Sequence, residues 1–109
     1  MIIDFNNIEE TVIPNFKGGE KEVAARMFFD GAVRILKARL APGASIGFHT
    51  HEDSCEVIII RSGEGKVYYE GKELRVKAGD LHYCPKGHSH TLINDSDAML
   101  EITGIVPQQ

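Results

Sequence analysis

The chain has 109 residues, the length of one domain with one buried core, so no second functional module is expected. Its formal net charge of −4, with 12 Lys and Arg scattered among 16 acids, argues against a nucleic-acid partner and for a small-molecule ligand. The opening Met1-Ile2-Ile3-Asp4-Phe5 lacks the basic and apolar signature of a leader, and no stretch has the length to cross a bilayer. A cytoplasmic protein with no membrane partner is the expectation, and Cys55 and Cys84 accordingly read as free thiols.

In chain order, the segment Ile8 to Ile13 reads as a first strand stopped by Pro14. Val23 to Phe29 and Ala32 to Leu40 flank Asp30-Gly31, a hairpin signal, because glycine supplies the positive φ that a tight turn demands. Strands follow at Ser45 to His51 and Glu56 to Arg61, separated by the turning run Glu52-Asp53-Ser54. Val67 to Tyr69 and Leu74 to Val76 enclose a second hairpin signal, Glu70-Gly71-Lys72. Asp80 to Cys84, His90 to Asn94 and Ala98 to Val106 complete the set, with Pro107-Gln108-Gln109 as a frayed tail. No segment sustains a helical period for three turns, so the chain is read as all-β, a sandwich or barrel over residues 1–109.

All five histidines (His49, His51, His82, His88, His90) fall between residues 49 and 90. On a strand alternate side chains share a face, so His49 and His51 point the same way with Cα atoms about 7 Å apart. Both imidazoles can then reach one ion while Thr50 points away. Glu56 enters on the next strand, where parity places Ile58 and Ile60 on its face and Val57 and Ile59 on the other. His90 arrives from a separate hairpin whose Pro85-Lys86-Gly87 turn aims the strand back across the barrel. Gly79 and Gly87 are read as positions where a side chain would obstruct a tight turn, and Asn94 as a group that bonds a nearby loop. Three imidazoles and a carboxylate suit Mn, Fe, Co, Ni, Cu or Zn, and four protein ligands leave two positions open on a six-coordinate ion.

The same residues lie in two blocks. The first, 43–63, runs from Gly43 through His49-Thr50-His51 and Glu56 to Gly63; the second, 79–94, runs from Gly79 through Pro85-Lys86-Gly87 and His90 to Asn94. Position for position these resemble the two motifs of the cupin superfamily. The resemblance implies a double-stranded β-helix, or jelly-roll, barrel with His49, His51, Glu56 and His90 as ligands to a divalent metal, Mn or Fe foremost. Only Glu64 to Ala78 separate the blocks, a short insert like that of small bacterial members. The run Gly79 to Pro85 is similar to that of oxalate decarboxylase-like cupins.

The implied function is a metal-dependent enzyme acting on a small oxygen-rich metabolite, by carboxylate decarboxylation or dioxygenase-type chemistry. A non-catalytic metabolite-binding or sensing cupin, a sugar isomerase or epimerase, and a lyase are the alternatives. Edge strands near the N-terminus point to a homodimer.

Other pocket candidates carry weaker signals. His82 and Cys84 share one face of their strand, Leu81 and Tyr83 the other, and parity alone does not say which looks inward. An inward His82 would serve as a proton shuttle or as support for a ligand. His88, in the turn, is expected at the solvent-exposed surface, and Cys55 as a packed apolar group. Arg26, Arg34 and Arg39 are expected on the solvated outer face, although the adjacent Ile35-Leu36 breaks the alternation that would assign them.

Overall fold

The computed structural model describes residues 1–109 and consists of two antiparallel sheets laid face to face. Ten strands build them: β1 (Thr11–Pro14), β2 (Glu22–Phe29), β3 (Val33–Leu40), β4 (Ser45–Thr50), β5 (Glu56–Ser62), β6 (Glu64–Tyr69), β7 (Lys72–Lys77), β8 (Leu81–Cys84), β9 (Ser89–Ile93) and β10 (Leu100–Pro107). Six form one sheet in the order β1-β2-β3-β10-β5-β8, and four form the other in the order β4-β9-β6-β7. From β3 onward the chain crosses between the sheets at every step except the β6–β7 hairpin, which makes the all-β expectation a jelly-roll barrel.

Both hairpin signals act locally. The Asp30 carboxylate accepts the backbone N–H groups of Ala32 and Val33 at 2.9 Å, closing the turn from β2 into β3. Glu70 and Gly71 both take positive φ, 49° and 77°, the pairing that a two-residue turn between β6 and β7 requires.

Between the sheets lies a core of Val23, Leu40, Ile58, Ile60, Val67, Leu92, Leu100 and Ile102, all essentially buried. Period-two burial follows directly from the pleat: β10 buries Leu100, Ile102, Gly104 and Val106 and turns Glu101, Thr103 and Ile105 outward. Asn94 is fully buried and donates to the carbonyls of Leu40 and Ala98, both at 2.8 Å, so it does fasten neighbouring loops.

Three expectations need correction, and one element was not expected. The first strand is shorter than Ile8 to Ile13, beginning at Thr11 after a 3-10 turn at Phe5–Asn7 and including Pro14 as its last residue. An edge strand paired only with β2 tolerates a residue without an N–H. A second 3-10 turn, Phe16–Gly18, has no counterpart in the sequence reading because its hold is tertiary. It lies so close to β4 that a Cβ on Gly19 or Gly47 would stand 2.1 Å from a backbone oxygen of the other segment.

The C-terminal residues are docked, not frayed: Gln108 and Gln109 donate backbone N–H groups to Ala32 and Asp53 at 2.8 Å. Gly79 and Gly87 have open space where a Cβ would sit. Their φ values of 95° and 85°, not crowding, are what favour glycine there.

Candidate metal centre

One end of the barrel interior is polar. His49 on β4, His51 just after it, Glu56 at the start of β5 and His90 on β9 bring one donor atom each to within 4.8 Å of all the others. Register explains the convergence. Ile46 pairs with Leu92 and His49 with His90, so β4 spends one more residue than β9 over this interval; this bulge shifts the alternation so that His49 joins Ile46 on the inner face. His51 is held beyond the strand end by two backbone bonds to the Pro85-Lys86-Gly87 turn region, donating to His88 O at 3.0 Å and accepting from Gly87 N at 2.6 Å. The turn of the second block thus positions a histidine of the first.

The four donor atoms are close enough together to share one ion. His49, His51 and His90 place their Nε2 atoms 3.2, 3.0 and 3.2 Å apart in the three pairs. The Glu56 Oε1 atom lies 3.1 Å from His51, 3.0 Å from His90 and 3.9 Å from His49. An ion held here would be bound by three imidazole nitrogens and one carboxylate oxygen, with His49 and Glu56 the most widely separated donors.

Each imidazole is oriented through its other nitrogen. Nδ1 of His49 donates to the Gly47 carbonyl at 2.7 Å, and Nδ1 of His51 lies 2.9 Å from the Ser54 hydroxyl. Nδ1 of His90 lies 2.9 Å from Nε2 of His82. With Nδ1 so engaged, each ring turns its Nε2 atom toward the centre; those of His51 and His90 hydrogen-bond the Glu56 carboxylate, and a bound ion would displace those protons and take the Nε2 lone pairs. Ser54 and Gly47 are supports that the sequence reading missed. A residue whose backbone carbonyl is used leaves no chemical signature, and a lone serine in a turn is usually a turn former.

Charge follows burial. Desolvation would raise the Glu56 carboxyl, but hydrogen bonds from His51 and His90 outweigh it and bring its pKa down to about 2, so it is ionised at neutral pH. Burial lowers the His49 imidazole and takes His82 down to about 4, with His90 adding to the effect on His82, so both rings are neutral. Burial also pushes the Cys84 thiol up to about 11, with Glu56 contributing. Cys84 pairs with Glu56 across the strands and is an inert packed thiol, and neither cysteine forms a disulfide.

The open parity question is answered by β8, where Leu81 and Tyr83 are 61% and 52% exposed while His82 and Cys84 are 7% and 0% exposed. His82 therefore faces inward and supports His90. His88 is not free in solvent: it is half-buried, stacked on Tyr69 with 5.7 Å between centroids, and bonded to the Tyr69 hydroxyl at 2.7 Å.

Arg26 and Arg39 do lie on the outer sheet face, donating to the Ile8 carbonyl and to the Glu10 carboxylate respectively. Arg34 departs from the expectation. It shares the inner face of β3 with Leu36, Ala38 and Leu40, and it lines a cavity of about 320 Å³ whose floor includes His49 and His51.

Comparison with known proteins agrees with this architecture. The family model described as "Cupin domain" matches residues 36–106. A Thermotoga maritima protein named oxalate-binding protein is 32% identical over 112 residues, covering 97% of this chain and 93% of its own. A crystal structure of a predicted oxalate decarboxylase, also from Thermotoga maritima, superposes with a TM-score of 0.93 at 30% identity, covering all of both chains. A Silicibacter pomeroyi sugar phosphate isomerase of the cupin superfamily shares the fold with a TM-score of 0.80 at 19% identity, covering 100% of this chain and 76% of the other. Two sheets in jelly-roll order, a histidine and glutamate cluster at one end of their interior, and a family match from β3 through most of β10 together establish that this chain belongs to the cupin family.

Proposed function

We propose that residues 1–109 form a single cupin domain, which binds one divalent transition metal through His49, His51, Glu56 and His90 and acts enzymatically on a small oxygen-rich metabolite. The observation that carries this reading is the convergence of four buried or half-buried donors close enough to share one ion. Mn or Fe fits best, since neutral imidazoles with one carboxylate and no thiolate suit first-row ions of intermediate hardness; Ni, Co, Cu and Zn are accommodated by the same set. Such an ion, when bound, supplies Lewis acidity or a redox couple to an oxygen-donor substrate. Carboxylate decarboxylation or dioxygenase-type chemistry is the proposed class, supported by the name of the Thermotoga maritima relative, oxalate-binding protein.

The chain's own residues prepare that chemistry. Gly47, Ser54 and His82 hold the three imidazoles in the tautomer that offers Nε2, and Glu56 contributes a negative charge. Leu36 and Val106 line the approach to the donors.

The relative's name also favours a second reading, a metabolite-binding or sensing cupin that releases its ligand unaltered. The isomerase, epimerase or lyase alternatives draw on the fold alone. We further propose a cytoplasmic homodimer without nucleic-acid or membrane partners; no helix is long and apolar enough to cross a membrane.

Elemental analysis of protein isolated under native metal supply, followed by oxalate, diketone, thiol and sugar-phosphate substrates with and without air, tests the proposal. About one equivalent of Mn or Fe with turnover supports the enzyme. Stoichiometric metal with an unaltered co-purified ligand supports the binding module, and absence of metal under any supply overturns both.

A further inference from the structure

The cavity beside the four donors is larger and more apolar than a two-carbon dianion requires. Its volume is about 320 Å³, and Phe16, Met27, Leu36 and Val106 form its apolar walls. Oxalate chelated by its own oxygens would fill on the order of 100 Å³ and present no apolar surface to those walls.

The register locates Arg34 relative to the centre. Leu36 pairs with Gly104, and a Cβ on Gly104 would lie 3.1 Å from Glu56 Oε2, so that rung is level with the carboxylate donor. Arg34 pairs with Val106 on the next inward-facing rung, about 7 Å further along the strand toward the cavity mouth. Its guanidinium lies 4.5 Å from the centroid of the Phe29 ring, and one nitrogen lies 4.0 Å from the Met27 sulfur. The ion pairs of the chain involve Arg39, Arg75, Lys66 and Lys77 but not Arg34. A planar cation braced against an aromatic ring, at a cavity wall and without a carboxylate of its own, is a ready partner for a ligand carboxylate.

We infer that the site takes a dicarboxylic acid longer than oxalate, about five to seven carbons in all with an apolar middle, its oxygen donors at the four-residue centre and its remote carboxylate on Arg34. This rests on the metal reading above and adds to it the ligand's length, its apolar middle and its second anchor.

A ladder of dicarboxylates from oxalate through succinate, glutarate and adipate to pimelate tests the inference on the cobalt-loaded full chain. Calorimetry gives affinity, and the visible band of bound cobalt reports events at the centre. The expected result is an affinity maximum at glutarate to pimelate that Arg34→Gln lowers by about tenfold or more while leaving oxalate affinity and cobalt content unchanged. Arg34→Lys, which keeps the charge without the fork, should retain a lower maximum.

Tightest binding of oxalate with no length optimum would overturn the inference, as would equal weakening of every ladder member by Arg34→Gln or no binding of any member. In those cases cobalt uptake shows that the metal reading stands. A chain that takes up no cobalt overturns the metal reading and this inference with it.

Discussion

The two ends of one barrel interior are built from the same strands and have opposite chemistry. β4 gives Ile46 to the apolar end and His49 to the polar end; β5 gives Ile60 and Glu56, and β9 gives Leu92 and His90. A step of two residues on β9, four on β5 and, across the bulge, three on β4 changes the inward side chain from core to donor. The apolar end is filled by Leu40, Leu100 and Ile102 at 0%, 0% and 1% exposure, with no charge to neutralise. The polar end holds four imidazoles and a carboxylate, each buried at least in part and each hydrogen-bonded. Stability should therefore reside mainly at one end and metal binding at the other.

The largest expected effects are reciprocal. Leu100→Ala should lose about 2–5 kcal/mol of unfolding free energy in urea titrations while metal per folded chain stays constant. The double variant His49→Ala, His51→Ala should lose its metal entirely, yet melt in chelator within a few degrees of the metal-stripped parent. If the stripped parent were itself unfolded, the polar end would also carry the fold, and the division would fail.

Next in size is Asn94→Ala, which deprives two carbonyls of a buried donor and should cost about 2–3 kcal/mol without changing metal stoichiometry. His82→Phe sharpens the comparison from the other side. Removing the acceptor for His90 Nδ1 should weaken metal affinity about 10- to 100-fold, measured by chelator competition, with little loss of metal-free stability.

The smallest effect belongs to neither end. Backbone N–H groups of Val33 and Ala32 hold the Asp30 carboxyl below its usual 3.8, so its contribution is present above that value and lost as pH falls through the lower folded-state pKa. Asp30→Asn should be less stable than the parent at neutral pH, and the gap should narrow in acid. A gap that widened in acid would reverse the assignment.

Alternation makes much of this legible in the sequence alone. The facing of Glu56, Ile58 and Ile60 on β5 followed from parity, and Asp30-Gly31 and Glu70-Gly71 marked hairpins by their own backbone needs. Parity failed on β3 because Arg34 occupies an inward position that an apolar residue would ordinarily take. The Ile35-Leu36 pair then straddles both faces, and the outer face is itself apolar enough to mask the period. On β8, His82-Tyr83-Cys84 offers no apolar contrast between faces, so only the pairing of β8 with β5 settles which side is inside.

The sequence by itself determined the local and periodic features: an all-β chain, its turns, and the spacing of His49, His51, Glu56 and His90 in two cupin-like blocks. These are set by backbone sterics and the period of the pleat, which act over a few residues. Only the tertiary structure decided that Ser54, Gly47 and His82 orient the imidazoles, that His51 is pinned by the turn at Gly87, and that Arg34 looks into the cavity. Those outcomes depend on strand register, a bulge in β4 and the closure of one sheet over the other. They join residues up to 72 positions apart, as Arg34 and Val106 are, through contacts that no local pattern encodes.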